Sequence, residues 1–302
     1  MGTRMIRVGI IGTNTSHAGV YSGLLNGKDD TPPTESAARI TAAWSSGEEG
    51  LSGFHSDASD LAKEFSIARV VADPSDLVGE IDLALILDDH DGGALHPKLA
   101  RPFLEAGVAT YIDKPMALQM DDAIDLFDLA EQHGTPLMSC SALRFADELS
   151  AVNADDLGEL SAVFSVGPGD WYNYGIHAVE AAVTVSGIGA ESVQQYHSTD
   201  RDLTVITHKD GPRIVIGTLR DARTSFHVTA YGAGGMVETD VSNYAGFYAN
   251  TIRTAVQMAE TRATPIGRDV TLEVLGILAA GQQSSDTGAP VRLAEILPGA
   301  SR

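Results

Sequence analysis

Short apolar runs alternate with amphipathic stretches through the first half of the chain. Ile6 to Ile11 predicts a buried strand, followed by a turn and a helix from about Ala18 to Leu25. Arg39 to Trp44 predicts a second strand. Asp82 to Leu87 predicts a third, nearly all apolar, as a central parallel strand buried on both faces should be. Pro97 to Ala106 predicts a helix ended by Gly107, and Ala109 to Ile112 the next strand. Met120, Ile124, Phe127 and Ala130 fall at helical spacing, closed by His133-Gly134, and Pro136 to Cys140 completes the series. Strands that alternate with helices build βαβ units. Residues 1–145 therefore predict an α/β domain, a Rossmann-type doubly wound parallel sheet.

After about Phe145 the pattern changes. Leu160 to Val166, Leu203 to Thr207, Arg213 to Leu219 and Ser225 to Tyr231 are strand-like runs separated by turn signals such as Lys209-Asp210-Gly211-Pro212. An apolar helical stretch, His177 to Ser186, lies among them. Helix returns at about Ala249 to Glu260 and Val270 to Ser284, before the short run Pro290 to Leu293. Successive strands without helices between them predict a mostly antiparallel open sheet, so residues 146–302 form a second, α+β domain. There is no internal repeat and no low-complexity tract.

Composition narrows the class. The 302 residues suffice for two cores, and 43% hydrophobic content fits a globular chain. No apolar run reaches the roughly 18 to 20 residues of a bilayer span. The start runs straight into a strand, so no cleavable signal peptide is expected. The single cysteine, Cys140, leaves no internal disulfide, and a cytoplasmic location is the expectation. The formal net charge of −21 disfavours nucleic acid and anionic membrane as partners and leaves a small-molecule substrate.

Candidate chemistry begins at the first turn, Gly9-Ile10-Ile11-Gly12-Thr13-Asn14-Thr15-Ser16-His17. A dinucleotide turn ordinarily reads G-x-G-x-x-G, the second glycine admitting the pyrophosphate and the third a close helix. Here Gly12 is kept, Asn14 takes the second place and His17 the third. Asn tolerates left-handed backbone, so the turn can persist. The acid that would grip an adenosine ribose should end the second strand, which instead ends Trp44-Ser45-Ser46-Gly47. Ser45 fits either a hydrogen bond to a 2′-phosphate or the plain start of a loop.

The third strand ends Leu87-Asp88-Asp89-His90-Asp91-Gly92-Gly93, then Leu95-His96-Pro97, in a loop placed to line the ligand crevice of an open parallel sheet. Its spacing matches no defined metal motif, and no metal is expected. The fourth strand ends Tyr111-Ile112-Asp113-Lys114-Pro115. A lysine at a strand end before a proline has little freedom and can polarise a substrate oxygen, or pair with Asp113 at the surface.

In order and spacing, these segments resemble the Gfo/Idh/MocA family, named for glucose-fructose oxidoreductase and inositol dehydrogenase. The family's Glu-Lys-Pro appears as Asp113-Lys114-Pro115, and its Gly-x-His followed two residues later by an acid as Gly175-Ile176-His177-Ala178-Val179-Glu180. Glu105-Ala106-Gly107, Leu143-Arg144-Phe145 and the run Gly288 to Leu293 also agree, so the resemblance spans nearly the whole chain. It implies NAD or NADP held by Gly12, Thr13, Asn14, Thr15, Ser16, His17, Ser45, Asp88 and Lys114. It implies Lys114 and His177, with Asp113, handling a substrate hydroxyl proton during hydride transfer, and Asn173, Tyr174, Glu180 and Arg144 at the substrate. It also implies a homo-oligomer, dimer or tetramer. The family often carries aspartate where Asn173 stands; an amide cannot act as a base, which leaves Asp170 or Glu180 as substitutes.

The leading expectation is an NAD(P)-dependent oxidoreductase on a carbohydrate, cyclitol or related polyol. A redox-neutral lyase, epimerase or glycosidase-like enzyme, a member that has lost nucleotide binding, and a non-catalytic binding protein are the alternatives, motivated by the altered first turn.

Overall fold

The computed structural model describes residues 4–28, 33, 37–50, 57–152 and 154–297. Two compact units emerge, Met1–Cys140 with Tyr248–Gly267, and Ser141–Phe247 with Arg268–Arg302.

The first unit contains β1 (Ile6–Ile11), α1 (Ser16–Asn26), β2 (Ala38–Trp44), α2 (Ala58–Glu64), β3 (Arg69–Val70), β4 (Leu83–Ile86), α3 (His96–Glu105), β5 (Ala109–Ile112), α4 (Met120–His133) and β6 (Leu137–Ser139). The strands form one parallel sheet in the order β3-β2-β1-β4-β5-β6. The order reverses between β1 and β4, the switch point beyond whose carboxyl ends such sheets bind ligands. Every residue of β4 and β5 is buried, which is why β4 reads as an unbroken apolar run and β5 as one interrupted only by Thr110. The strand predicted third is fourth in the chain. β3 is two exposed residues at the sheet edge and leaves no hydropathy signal.

The second unit contains α5 (Asp147–Ser150), α6 (Ala154–Leu157), β7 (Leu160–Pro168), α7 (Trp171–Ser186), β8 (Ala190–Ser198), β9 (Arg201–His208), β10 (Arg213–Leu219), β11 (Phe226–Gly232), β12 (Gly235–Val241), the first residues of α8 (Tyr244–Thr261), α9 (Arg268–Thr287), β13 (Val291–Arg292) and α10 (Leu293–Ile296). Its sheet runs β12-β11-β7-β10-β9-β8-β13, antiparallel throughout except for the β7–β10 pair. Strands β8 and β12 carry too many polar residues to stand out by hydropathy. Trp171 joins α7 to α9: its indole Nε1 donates to Leu278 O (3.0 Å), and a Cβ at Gly281 would lie 2.6 Å from its ring. The glycine in α9 is what lets the indole lie flat against that helix.

The boundary expected near Phe145 falls at Cys140, and the segment Tyr248–Gly267 belongs to the first unit. Arg262 shows why. Its guanidinium donates to Gly107 O (2.8 Å) and Gly134 O (3.1 Å), the carbonyls just past the ends of α3 and α4. Helical periodicity says where a helix is, not which core it joins. No helix among the described residues is long and apolar enough to cross a membrane.

Candidate active site

Gly12 leaves β1 with φ +102°, and a Cβ there would lie 2.2 Å from the Asp88 backbone nitrogen. Only glycine fits where two strand ends approach so closely. Thr15 then caps α1, its hydroxyl accepting from His17 N (3.4 Å). Among the described residues the backbone N–H groups of Asn14, Thr15 and Ser16 have no acceptor. Unpaired amides at the head of an eleven-residue helix are what an anionic pyrophosphate needs.

The two residues that replace glycines are engaged in the protein's own bonds. Asn14 Oδ1 accepts from Asp89 N (2.9 Å), and its Nδ2 donates to Glu48 O (3.3 Å). One side chain thereby ties the first turn to the loops after β2 and β4. His17 points the other way: Nδ1 donates to Asp113 Oδ2 (2.5 Å), and Nε2 lies 3.0 Å from the Tyr248 hydroxyl. The Tyr111 hydroxyl donates to Asp113 Oδ1 (3.2 Å). Burial alone would raise the Asp113 carboxyl, but the charges and hydrogen bonds of His17 and Lys114 hold it well below the ordinary carboxylate range. The ring at the third glycine's place thus secures the Asp113-Lys114-Pro115 turn.

Lys114 is half-buried beyond β5, and the peptide to Pro115 is cis. Among the described residues its ammonium makes no hydrogen bond or ion pair. Lys114 acts on Asp113 through its charge and backbone without a direct ion pair, and His17 and Tyr111 hold that carboxylate. In the loop after β4, Asp88 is fully buried and accepts from Ser46 Oγ (2.8 Å) and His90 N (3.1 Å). Asp89 keeps a carboxyl raised by burial, against the pull of Lys114, with Asp113 nearby adding to the rise. His96 sits beneath the loop, Nδ1 donating to Pro115 O (2.8 Å), and burial pushes its imidazole below the usual range. Asp91 is exposed, and no described His, Cys, Asp and Glu side chains gather into a set able to hold a metal. Ser45 Oγ accepts from Ala58 N (3.2 Å), so this serine begins the segment leading to α2.

The residues present fit the diphosphate of a dinucleotide: a glycine that turns the chain at the end of β1, unpaired amides at a helix head, and no acidic side chain in the turn itself.

In the second unit, His177 lies on the second turn of α7, half-buried, with Nδ1 2.7 Å from the Ser141 hydroxyl. Its ring rests between Tyr174 and Phe226, at centroid distances of 5.8 and 5.4 Å. Asp170 caps the helix, accepting from Asn173 N (2.9 Å) and from the Asn173 side-chain amide (3.1 and 3.2 Å). These bonds outweigh burial and lower the Asp170 carboxyl. Glu180 is buried, pairs with Arg144 Nε and accepts from Ser141 N (3.3 Å). Neither carboxylate stands in for the missing aspartate: one is a helix cap, the other half of a buried ion pair. Tyr174 and Asn173 are exposed. Sequence reasoning missed Tyr111, Tyr248, Ser46 and Ser141. Each is an ordinary polar residue whose part appears only when distant segments meet.

Residues 6–140 match the family described as "Oxidoreductase family, NAD-binding Rossmann fold", the Gfo/Idh/MocA family. Myo-inositol dehydrogenase Hyg17 of Streptomyces leeuwenhoekii is 40% identical over 81 residues, which is 26% of this chain and 24% of that protein. The oxidoreductase YdgJ of Escherichia coli is 24% identical over 267 residues, covering 76% of this chain and 70% of its own. In fold, the scyllo-inositol dehydrogenase of Lactobacillus casei, solved with NAD(H) and scyllo-inositol, superposes at TM-score 0.80 with 16% identity, covering 96% of this chain and 100% of the other. The match to the Gfo/Idh/MocA oxidoreductase family model thus covers residues 6–140 of the first unit.

Proposed function

We propose that the chain is a nicotinamide-dinucleotide-dependent dehydrogenase acting on a secondary hydroxyl of a cyclitol, carbohydrate or related polyol. One observation carries the reading. Lys114 follows β5 with an ammonium that no described side chain hydrogen-bonds or ion-pairs, beside a carboxylate already held by His17 and Tyr111. Such a cation is available to a ligand rather than used in the fold. The inositol dehydrogenases among its relatives support the substrate class.

A bound nicotinamide dinucleotide supplies the hydride acceptor or donor. Lys114 orients the substrate oxygen and stabilises negative charge that develops on it. His177, whose Nδ1 meets the Ser141 hydroxyl, takes or returns the hydroxyl proton. Asn173 does not move protons; with Asp170 it fixes the start of the helix that carries His177. Exposed Tyr174 and Asn173 are proposed to contact substrate, while the Arg144–Glu180 pair holds the Ser141 loop that sets His177.

The cofactor-free and redox-neutral alternatives drew on the altered first turn. Asn14 and His17 are both accommodated by protein bonds there, and the helix-head amides stay unpaired, which supports retention of a dinucleotide. Steady-state assays with NAD+ and scyllo- or myo-inositol test the reading. Turnover that falls at least roughly a hundredfold in Lys114→Ala, with nucleotide affinity kept, is expected. Absence of NAD(H) and NADP(H) binding at millimolar concentration refutes it.

We also propose self-association through the second unit's open sheet face. α7 and α9 pack against this sheet, and Phe164, Leu203 and Tyr231 alternate with its buried residues and remain exposed.

A further inference from the structure

We propose that Glu48 is the residue that reads the adenosine ribose, selecting a dinucleotide with a free 2′-hydroxyl over its 2′-phosphorylated form; this rests on the reading that the first turn binds such a cofactor. In doubly wound sheets the ribose acid follows the second strand. Here β2 ends at Trp44, and the two serines beyond it are both engaged: Ser45 with Ala58 N, Ser46 with Asp88. Gly47, at φ +77°, then turns the chain.

That turn brings Glu48 back against the dinucleotide loop. Its carbonyl accepts from Asn14 Nδ2 (3.3 Å), and its N–H donates to Ser46 Oγ (3.4 Å). Two residues on, a Cβ at Gly50 would lie 1.9 Å from Asn14 O, so the loop backbone is seated on the turn itself. Glu48 is therefore anchored at both its amide and its carbonyl, while its side chain is exposed and bonded to no described residue. A carboxylate carried on that anchored backbone can accept two hydrogen bonds from a vicinal diol.

The same carboxylate repels a 2′-phosphate. From Arg39 to Lys63 the sequence holds no lysine or arginine, and it carries Glu48, Glu49, Asp57 and Asp60. From this segment a phosphate would meet like charge. Asn14, which replaces the glycine of the ordinary turn, is thus the residue that holds the substitute acid in place.

Equilibrium binding of NADH and NADPH, followed by nicotinamide fluorescence and by calorimetry, tests this without any substrate. The wild type is expected to bind NADH roughly tenfold or more tighter than NADPH. Glu48→Gln should bring the two affinities within about threefold, and Glu48→Arg should invert them. Glu49→Gln should leave the ratio unchanged. Equal or tighter binding of NADPH by the wild type overturns the proposal, as does a ratio that collapses in Glu49→Gln but survives in Glu48→Gln. Binding of neither nucleotide overturns the dinucleotide reading as well. Circular dichroism of each variant checks folding, and a loss of both affinities together with the fold is resolved by Glu48→Asp, which should keep the preference for NADH.

Discussion

His17 stands where a dinucleotide turn ordinarily has a glycine, and its imidazole is buried against the Asp113 carboxylate. Removing one partner of a buried pair leaves the other uncompensated, so His17→Ala should destabilise the protein by about 3–5 kcal/mol in urea unfolding. The sign with pH follows from Asp113. Its folded-state carboxyl is held below the unfolded value of about 3.9, so its stabilisation is complete above that value. It is lost as pH falls through the depressed folded value. Urea midpoints between pH 6 and 3 should therefore drop more steeply in wild type than in His17→Ala; parallel curves would remove Asp113 from the account. Gly12 is a second single-residue constraint. Gly12→Ala puts a Cβ into the Asp88 backbone at φ +102°, a cost on the order of 3 kcal/mol, and NADH binding should vanish with the turn.

Between elements, what matters is how helices are fastened to the sheets that carry the site. α7 positions His177, and its first residue, Trp171, lies across Gly281 of α9. Gly281→Ala must push the indole aside, costing roughly 1–3 kcal/mol, measurable as a lowered thermal midpoint. If α7 shifts with the indole, kcat should fall more than KM rises, because the histidine rather than the substrate contacts is displaced. In the first unit, Arg262 gives α3 and α4 a shared C-terminal partner, and Arg262→Ala should cost about 1 kcal/mol, since the guanidinium is largely exposed. A change below the error of the measurement would assign that segment's place to its apolar contacts alone.

For the whole molecule, two proposals can be checked independently of any single bond. If Lys114 and His177 serve one reaction, the double alanine variant should be little worse than the poorer single variant, because groups acting as a unit are not additive. Fully additive losses would separate them. If the open sheet face joins copies of the chain, light scattering should show a dimer or tetramer, reduced to monomer by Phe164→Glu with Leu203→Glu. A wild-type monomer would reject that face as an interface.

Hydropathy along the chain was enough to determine a parallel α/β unit followed by a largely antiparallel one, because central strands such as β4 and β5 are buried on both faces and so are predominantly apolar. The position of Lys114 at a strand end was legible for the same reason: strand ends are where apolar runs stop. Polar partnerships were not legible, since a hydrogen bond joins side chains that sequence separates by tens of residues. Thus the sequence alone offered His17 as an obstacle, Asn173 as a gap and Ser45 as a candidate ribose ligand. Only the tertiary structure gave His17 to Asp113, Asn173 to Asp170 and Ser45 to Ala58. Close packing decided the rest: the glycine at 12 and the asparagine at 14 make sense only once the ends of β1, β2 and β4 converge on one turn.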